Sequence, residues 1–278
     1  MITRYEIRQL SEKNGVPAIT IDKDWVLGHI VAGIYHNSYL KDILVFKGGT
    51  CLKKCFFENY RFSEDLDFTA IKEIDLKLLR KNFKIVMEQI TDHTDILFQQ
   101  LKLSELNFKN NLMAYRIDVP FWGSNHSGEP TNRKWTTRVK IEITLFEKLC
   151  FKPVIRNLIH SFSDTPITDQ IKSYSLEEII AEKLRAILQR SYSAPRDYYD
   201  LWYLTTNIEN IDWKGIKAAF IEKCDFKNIR FNSIDDFFVD EKIRVVKKEW
   251  NNSLKNHLKD LPDVDIVMIK LKKILTYL

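Results

Sequence analysis

Hydrophobic and polar positions alternate most regularly in the segment TRVKIEITLF. In an extended chain, one face of this segment would be almost entirely apolar, and the other would carry Lys140, Glu142 and Thr144. Such a period of two predicts a strand with one buried face. A shorter copy of the pattern occurs at 65–68, and the apolar run 43–46 predicts another, buried strand.

Helical periodicity accounts for most of the remaining chain. The first forty residues are predicted to be helical, with an amphipathic segment at 25–35, and further helices are predicted at 50–59 and 77–99. Residues 122–135 are rich in Gly, Ser, Asn and Pro and are predicted to form a loop.

The pattern changes to helices with little strand signal from about Ser175 onward. We therefore expect an α/β (α+β) fold, in which a small mixed sheet with flanking helices is followed by a C-terminal helical bundle. The expected domains are 1–165 and 166–278.

Composition limits the class of protein. With 278 residues, of which 45% are hydrophobic, the chain can form a packed core. Its four cysteines lack the spacing of a zinc site or a disulfide framework, which favours a reducing, cytoplasmic setting. The charged N-terminus and the absence of a long apolar run predict neither export nor a membrane span. A net charge of +5 permits binding to a polyanion without requiring it.

Two glycines, Gly48 and Gly49, separate a predicted strand from a helix expected to begin at Thr50. The free N–H groups and positive dipole end of such a helix attract phosphate, and glycine lets a phosphate approach the bare backbone. Gly-Gly turns are also common without any ligand, so this turn is weak support for a phosphate site when it is considered alone.

Three carboxylates strengthen the case for a phosphate site. On a strand, Asp65 and Asp67 point to the same side, and two adjacent carboxylates suit Mg²⁺, which prefers oxygen ligands. Paired metals held in this way activate an attacking hydroxyl and stabilise a leaving oxygen. Glu142, on the polar face of its strand, is the candidate third ligand. Solvated acids on half-buried strands are the alternative explanation for all three residues.

A lysine interrupts the apolar stripe of the helix that is predicted from Leu176. Lys183 falls near the middle of this stripe and Arg190 nearer its edge, while Asp197 and Asp200 point inward from the next helix. A cation in a core needs an anion or a ligand. Either these residues form a structural ion-pair cluster, or Lys183 binds a phosphate and Asp200 orients it. The helix's other charged residues, Glu178 and Arg185 among them, are expected to be solvated.

A basic loop and the histidines are two further groups of polar residues in the sequence. The loop NRKWTTR puts Arg133, Lys134, Trp135 and Arg138 near Glu142, where they could contact phosphate and stack on an acceptor end or could simply be solvated. The six histidines form no cluster along the sequence, and we assign them no catalytic role.

Together these motifs resemble a known family. Their order is KGGT at 47–50, RFSEDLDF at 61–68, the strand with Glu142, EEIIAEKLRAILQR at 177–190 and RDYYDL at 196–201. This order is similar to that of the AbiEii/AbiGii toxin family, in the DNA-polymerase-beta-like nucleotidyltransferase superfamily. The resemblance covers roughly residues 20–205, and the combination of motifs is specific although each motif alone is not.

The resemblance implies the transfer of a nucleoside monophosphate from an NTP, with Mg²⁺, in toxin–antitoxin or phage-defence systems. It assigns Asp65, Asp67 and Glu142 to the metal ions, and Glu142 also to deprotonation of the acceptor. It assigns nucleotide binding to a larger set: Lys47, Gly48, Gly49, Thr50, Ser63, Lys183 and Asp200. The superfamily more often has aspartate at the third metal position, which makes Glu142 a departure from its pattern.

The implied acceptor is RNA, with tRNA favoured because relatives modify its acceptor end, and a cognate antitoxin is an implied partner. Two alternatives remain open from the sequence. The acceptor could be a protein side chain, or the chain could be a nucleotide-binding regulatory module without turnover. The complete carboxylate set argues against the second alternative.

Overall fold

A computed structural model describes most of the chain, namely residues 2–108, 111–126, 130, 135–190 and 194–278. The chain divides into two compact units. The first comprises Met1–Glu147 and Pro153–Ser173, and the second comprises Lys148–Lys152 and Tyr174–Leu278. The domain limits expected from sequence, 1–165 and 166–278, stay a prediction. Within the described residues, no helix is both long enough and apolar enough to cross a membrane.

The first unit contains five helices and eight strands in its described part. The helices are α1 (Arg4–Asn14), α2 (Ala18–His36), α3 (Ser38–Ile43), α4 (Gly48–Cys55) and α5 (Leu76–Thr94). The strands are β1 (Leu44–Lys47), β2 (Asp65–Ala70), β3 (Leu97–Phe98), β4 (Lys102–Phe108), β5 (Asn111–Trp122), β6 (Arg138–Thr144), β7 (Val154–Asn157) and β8 (Gln170–Ser173).

These strands form one mixed sheet in the order β3-β5-β6-β2-β1-β8-β7, and β4 also pairs with β5. The central pair, β2 and β6, is parallel, whereas β1 with β2 and β5 with β6 are antiparallel. The predicted mixed sheet is confirmed. The apolar face of β2 and β6 is fully buried through Leu66, Phe68, Ile141 and Ile143.

Three helix predictions need correction. The 25–35 segment of α2 is buried on all sides, not amphipathic, because α1, α5 and the sheet all pack around this helix. Helix α4 begins at Gly48, two residues earlier than expected, and ends at Cys55 because the N–H groups of Phe56 and Phe57 both donate to the carbonyl of Leu52. Helix α5 ends at Thr94, before the short strand β3.

The second unit is helical where it is described, as predicted. It contains α6 (Leu176–Gln189), α7 (Pro195–Asn207), α8 (Trp213–Phe226), α9 (Asp240–Leu254) and α10 (Val264–Ile274), with 3-10 turns at Ile234–Phe237 and Leu275–Tyr277. Ser175 caps α6, since its side chain accepts from the N–H of Glu178.

The expectation that Glu178 and Arg185 are solvated is wrong, because both side chains are buried. The Glu178 carboxylate accepts from the N–H groups of Cys150 and Phe151 at 3.0 and 2.8 Å. It also pairs at 2.6 Å with Lys223, which is fully buried and contacts Glu182 at 3.2 Å. A buried charge of this kind is retained only with such partners.

The histidines do form a cluster in space, contrary to the sequence-based expectation. In the first unit, Asp164 accepts from Trp25 at 2.9 Å and lies 3.0 Å from His29 Nε2 and 2.7 Å from His160 Nε2. Burial alone would raise the pKa of Asp164, but the hydrogen bonds from both histidines and Trp25 lower it below its usual value. Burial lowers the pKa of His29, and the hydrogen bond to Asp164 only partly opposes this effect.

Acidification should therefore destabilise the fold through His29. Between about pH 7.5 and 5.5 the unfolded ring, with a pKa of about 6.5, takes up a proton that the folded ring resists, so the free energy of unfolding falls. We expect His29→Gln to reduce this pH dependence in urea denaturation followed by tryptophan fluorescence. The exposed His36, changed to Gln, is the matched control. An equal pH slope in His29→Gln and wild type would contradict the prediction.

Candidate active site

The polar face of the sheet carries the three predicted acids in two adjacent rows, and two of them share the first row. Asp67 on β2 lies directly opposite Glu142 on the parallel strand β6 and opposite Lys47 on β1. Arg116 on β5 lies opposite Glu142 on its other side. Paired positions on neighbouring strands have Cβ atoms about 4.5–5.5 Å apart, so Asp67 and Glu142 are close neighbours. Asp67 and Glu142 therefore lie at the centre of the candidate site.

A second row runs beside the first. Asp65, two residues before Asp67 on β2, lies opposite Lys140 on β6, and Lys140 lies opposite Asp118 on β5. Because side chains two residues apart on a strand point to the same face, all three predicted metal ligands share the polar face. Lys47 donates from its Nζ to the Thr144 hydroxyl at 3.1 Å.

The glycine pair sits at the edge of these rows. Gly48 has a φ of 83°, a left-handed conformation that glycine adopts readily, and a Cβ there would lie 2.4 Å from an Asp67 carboxylate oxygen. A Cβ at Gly49 would lie 3.3 Å from the Ser63 hydroxyl. Gly48 is also the first residue of α4, whose opening N–H groups have no partner within the helix. The bare backbone therefore borders both Asp67 and Ser63.

Thr50 is placed differently from the way its predicted role suggests. Its side chain is buried, and its hydroxyl donates to the backbone carbonyl of Asp65 at 2.5 Å. This bond fastens the first turn of α4 to the start of β2. The group of Thr50 that is suited to bind a phosphate is therefore its backbone N–H, in the first turn of α4. The hydroxyl of Thr50 instead positions Asp65.

Arg61 is a residue that sequence reasoning did not assign to the site. It is buried, its guanidinium donates to the carbonyl of Phe62 at 3.1 Å, and a Cβ at Gly49 would lie 2.8 Å from one of its terminal nitrogens. A guanidinium beside a glycine turn is well suited to phosphate. Arg61 is the first residue of the motif RFSEDLDF, but nothing in the sequence showed that its side chain turns toward Gly49.

The arrangement of acids fits a hard divalent cation. Asp65, Asp67 and Glu142 offer only oxygen donors from one face of the sheet, and like charges held on adjacent strands repel unless a cation lies between them. The cluster of His29, His160 and Asp164 also has ligand atoms within 4.8 Å of one another. Its nitrogen donors suit transition metals and not Mg²⁺, and Asp164 is already satisfied by hydrogen bonds.

Lys183 is buried in the apolar stripe of α6, as the sequence predicts, and has two carboxylate partners within the second unit. Its Nζ lies 3.0 Å from Asp197 and 2.5 Å from Asp200, and Arg190 also pairs with Asp197. The structural ion-pair explanation therefore accounts for Lys183, Asp197 and Asp200 without a ligand. The assignment of Lys183 and Asp200 to nucleotide binding stays a prediction.

The basic loop is described only in part, since Arg133 and Lys134 lie outside the described residues. Trp135 packs on Trp122, with ring centroids 5.9 Å apart. Arg138, which is exposed, begins β6, two residues before Lys140. Arg138 thus adds a further basic side chain to the polar face of the sheet, next to Lys140.

The family model for the nucleotidyl transferase AbiEii toxin of type IV toxin–antitoxin systems matches residues 30–275. The chain belongs to this family. It is accordingly a nucleotidyltransferase toxin of a type IV system, a class that uses an NTP and has an antitoxin partner. A comparison with curated proteins found no significant match.

One solved structure agrees with the fold. MenT4, a nucleotidyltransferase toxin from Mycobacterium tuberculosis H37Rv, aligns with a TM-score of 0.68 at 16% identity and covers 100% of this chain and 89% of its own. A candidate nucleotidyltransferase from H. pylori aligns over 90% of this chain and 94% of its own, at 17% identity and a TM-score of 0.44. At such identity, MenT4 supports the fold alone.

Gly48→Ala should impair this nucleotidyltransferase strongly. The left-handed φ costs an alanine about 1–2 kcal/mol, and the new Cβ would displace the Asp67 carboxylate. Because misplacing a reactive group by about 1 Å can cost about 10²-fold in rate, we expect a loss of that size in nucleotide transfer.

Gly28→Ala is the matched control for this change. A Cβ at Gly28, inside helix α2, would make ordinary contacts of 3.5 Å, so its transfer rate should stay at the wild-type level. A folded Gly48→Ala variant with wild-type activity would show that the turn does not border the reacting groups.

Proposed function

We propose that the chain transfers a nucleoside monophosphate from an NTP to a hydroxyl of RNA, with tRNA the favoured acceptor, in an Mg²⁺-dependent reaction. The observation that carries this proposal is the register that sets Asp67 beside Glu142, with Asp65 on the same face and Gly48 at the edge. Residues of the polar face support each part of such a reaction.

The nucleotide is proposed to bind with its triphosphate over the start of α4. The opening N–H groups of Gly48, Gly49 and Thr50 would donate to phosphate oxygens, and Ser63 and Lys47 would add a hydroxyl and a positive charge. Asp65, Asp67 and Glu142 would hold the metal ions. When bound, those ions supply charge neutralisation for the phosphates and polarisation of the attacking hydroxyl.

The reaction is an in-line displacement. The acceptor oxygen forms a bond to the α-phosphorus, the bond from that phosphorus to the bridging oxygen of the β-phosphate breaks, and pyrophosphate leaves. Glu142 is exposed and lies opposite Arg116. In this proposal its carboxylate accepts the proton of the attacking hydroxyl.

Two alternatives compete with RNA transfer. The acceptor could be a protein hydroxyl, since the carboxylates and glycine turn would serve either acceptor equally. A nucleotide-binding module without turnover would need neither Glu142 nor close packing of Asp67 on Gly48. A cytoplasmic setting is proposed from the cysteine spacing, and a role in phage defence from the family resemblance alone.

The transfer reaction is tested with the purified protein, Mg²⁺ and each of the four α-³²P-labelled NTPs in turn, with total cellular RNA or total cellular protein as the acceptor. We expect label to appear in RNA with the wild type and to fall to background with Asp65→Ala/Asp67→Ala, because the variant loses two of three metal ligands. Circular dichroism establishes that the variant is folded. Label in protein instead of RNA would favour the first alternative, and no label above the variant would favour the second.

The assigned nucleotide role of Lys183 is tested by comparing Lys183→Met with Lys223→Met. Each change leaves buried carboxylates in the second unit without their lysine partner, so both should destabilise the protein by about 3–5 kcal/mol. If Lys183 binds phosphate, only Lys183→Met should also weaken NTP binding, measured by calorimetry at a temperature where both variants are folded. Equal NTP affinity in both variants would leave Lys183 with a structural role alone.

A further inference from the structure

Two histidines and an aspartate converge at a point of the first unit that the proposed transfer reaction does not use. His29 comes from helix α2, whereas His160 and Asp164 come from the loop 158–169, between β7 and β8. Asp164 lies 3.0 Å from His29 Nε2 through its Oδ2 and 2.7 Å from His160 Nε2 through its Oδ1. The side chains of His29, His160 and Asp164 expose only 2%, 7% and 16% of their surface. These three residues form a largely buried His–Asp cluster.

The geometry of the His–Asp cluster is close to that of a metal site. One ligand atom from each residue can be chosen so that all three lie within 4.8 Å of one another, and the two imidazole centroids are 5.1 Å apart. Two imidazoles that bind one tetrahedral ion at about 2.0–2.1 Å have centroids about 5 Å apart, and their nitrogens lie about 3.3 Å from a carboxylate oxygen on that ion. The observed nitrogen–oxygen distances of 3.0 and 2.7 Å are slightly shorter, so small side-chain rotations would admit an ion.

The hydrogen bonds of Asp164 are compatible with such an ion. Without an ion, the two imidazole rings and Trp25 satisfy the carboxylate, and an ion would replace the two histidine bonds through the same nitrogens and oxygens. The bond from Trp25 Nε1 to Asp164 Oδ2, at 2.9 Å, would remain and would orient the carboxylate, as the outer partners of metal ligands do. The pH dependence expected for His29 is that of the metal-free protein, in which the histidine bonds are intact.

The surroundings of the cluster tolerate a positive ion. Lys54 is the neighbouring cation, since a Cβ at Gly28 would lie 3.5 Å from both Lys54 Nζ and His160 Nδ1. Lys54 pairs with the buried Asp24 at 2.7 Å, so its charge is already balanced. The carboxylate of Asp164 can therefore direct its charge to an ion between the two rings.

The loop that carries two of the three ligands is long for its place in the sheet. Strands β7 and β8 are antiparallel neighbours, and such pairs are usually joined by about 2–5 residues. Here the connection is 158–169, and it contains no helix or strand. An ion bound by both α2 and this loop would join residues 135 positions apart, and a link across so long a stretch of chain strongly restricts the unfolded state.

We propose that His29, His160 and Asp164 bind one Zn²⁺ ion, which stabilises the first unit by joining the loop 158–169 to helix α2. Two imidazole nitrogens and a carboxylate suit zinc, whereas Mg²⁺ prefers oxygen donors throughout. Burial of the ligands leaves space for few others, which favours the four-coordinate geometry of zinc over six-coordinate ions. The second oxygen of Asp164 or a water molecule completes the site. Its role is structural, so it does not depend on the proposed transfer reaction.

Zinc binding is measured on the full chain without an affinity tag, after treatment with EDTA and exchange into buffer free of chelator. Excess Mg²⁺ and an Asp65→Ala/Asp67→Ala background keep Zn²⁺ off the carboxylates of the sheet. Calorimetry should show one site per chain, and Co²⁺ in place of Zn²⁺ should give the strong visible absorption of a tetrahedral ion. His29→Gln and His160→Gln should each weaken zinc binding by about 100-fold or more, because even the loss of an outer partner costs about 10–100-fold.

Thermal unfolding provides a second readout. Zn²⁺ at about 100 times its dissociation constant should raise the unfolding midpoint by about 5 °C, because the ion binds the folded chain and not the unfolded one. His29→Gln and His160→Gln should lose this shift. The matched control is His36→Gln, which changes an exposed histidine at the end of the same helix and should keep both the zinc affinity and the shift.

Several results would overturn the zinc site. They are the absence of Zn²⁺ binding, an octahedral Co²⁺ spectrum, and unchanged zinc affinity in folded His29→Gln and His160→Gln. Each would leave a hydrogen-bonded cluster without an ion. If circular dichroism shows that both variants are unfolded, Trp25→Phe is measured instead. It removes only the hydrogen bond to Asp164 and should weaken zinc binding by about 10–100-fold, so an unchanged affinity there also contradicts the proposal.

Discussion

The site depends on one constraint, namely that Asp67 and Glu142 are held side by side although their charges repel. Carboxylates directly opposite one another on neighbouring strands destabilise a sheet. The register persists because the opposite faces of the same strands are fully buried through Leu66, Phe68 and Ile141. Burying each such side chain stabilises the fold by about 1.5–3 kcal/mol.

A slip of one residue cannot relieve this repulsion. It would turn the apolar side chains of β2 or β6 to the polar face, and the loss of their burial would far exceed the gain from separating two partly exposed acids. The core thus enforces a geometry that the acids alone would not adopt. Lys47 lies opposite Asp67 and Arg116 opposite Glu142, so positive charge flanks the acids on both neighbouring strands, and in the proposed reaction bound cations add to it. Carboxylates that the fold holds together against their mutual repulsion are suited to bind a cation, because the cation removes that repulsion.

The sequence predicts those parts of the fold and site that are local. The period of two in β2 and β6, the glycine pair and the misplaced Lys183 are all visible within single elements, and the structure places these residues as their patterns indicate. Strand β5 was not predicted, although Tyr115, Ile117, Val119 and Phe121 alternate there, because Pro120 in the same run argues against a strand.

Features created by tertiary packing could not be predicted in this way. The 25–35 segment of helix α2 was expected to have a solvent-exposed face. It is buried because helices and the sheet pack on all its sides. Glu178 and Arg185 lie on a helix face that looks solvated from spacing alone, but the Lys223 ammonium and the backbone N–H groups of Cys150 and Phe151 bury Glu178. The contact of His29 with Asp164 joins residues 135 positions apart.

The same distinction separates the two sides of the active site. The side proposed for the nucleotide comes from one continuous stretch, 47–67, in which Thr50 fastens helix to strand and Gly48 borders Asp67, so changes there disturb both packing and chemistry. On the other side of β2, Arg116 on β5 and both Arg138 and Lys140 on β6 lie on the polar face of the sheet. Exposed substitutions usually alter stability by no more than about 0.5 kcal/mol. Substitutions on that side can therefore change the surface beside the acids while the fold stays intact.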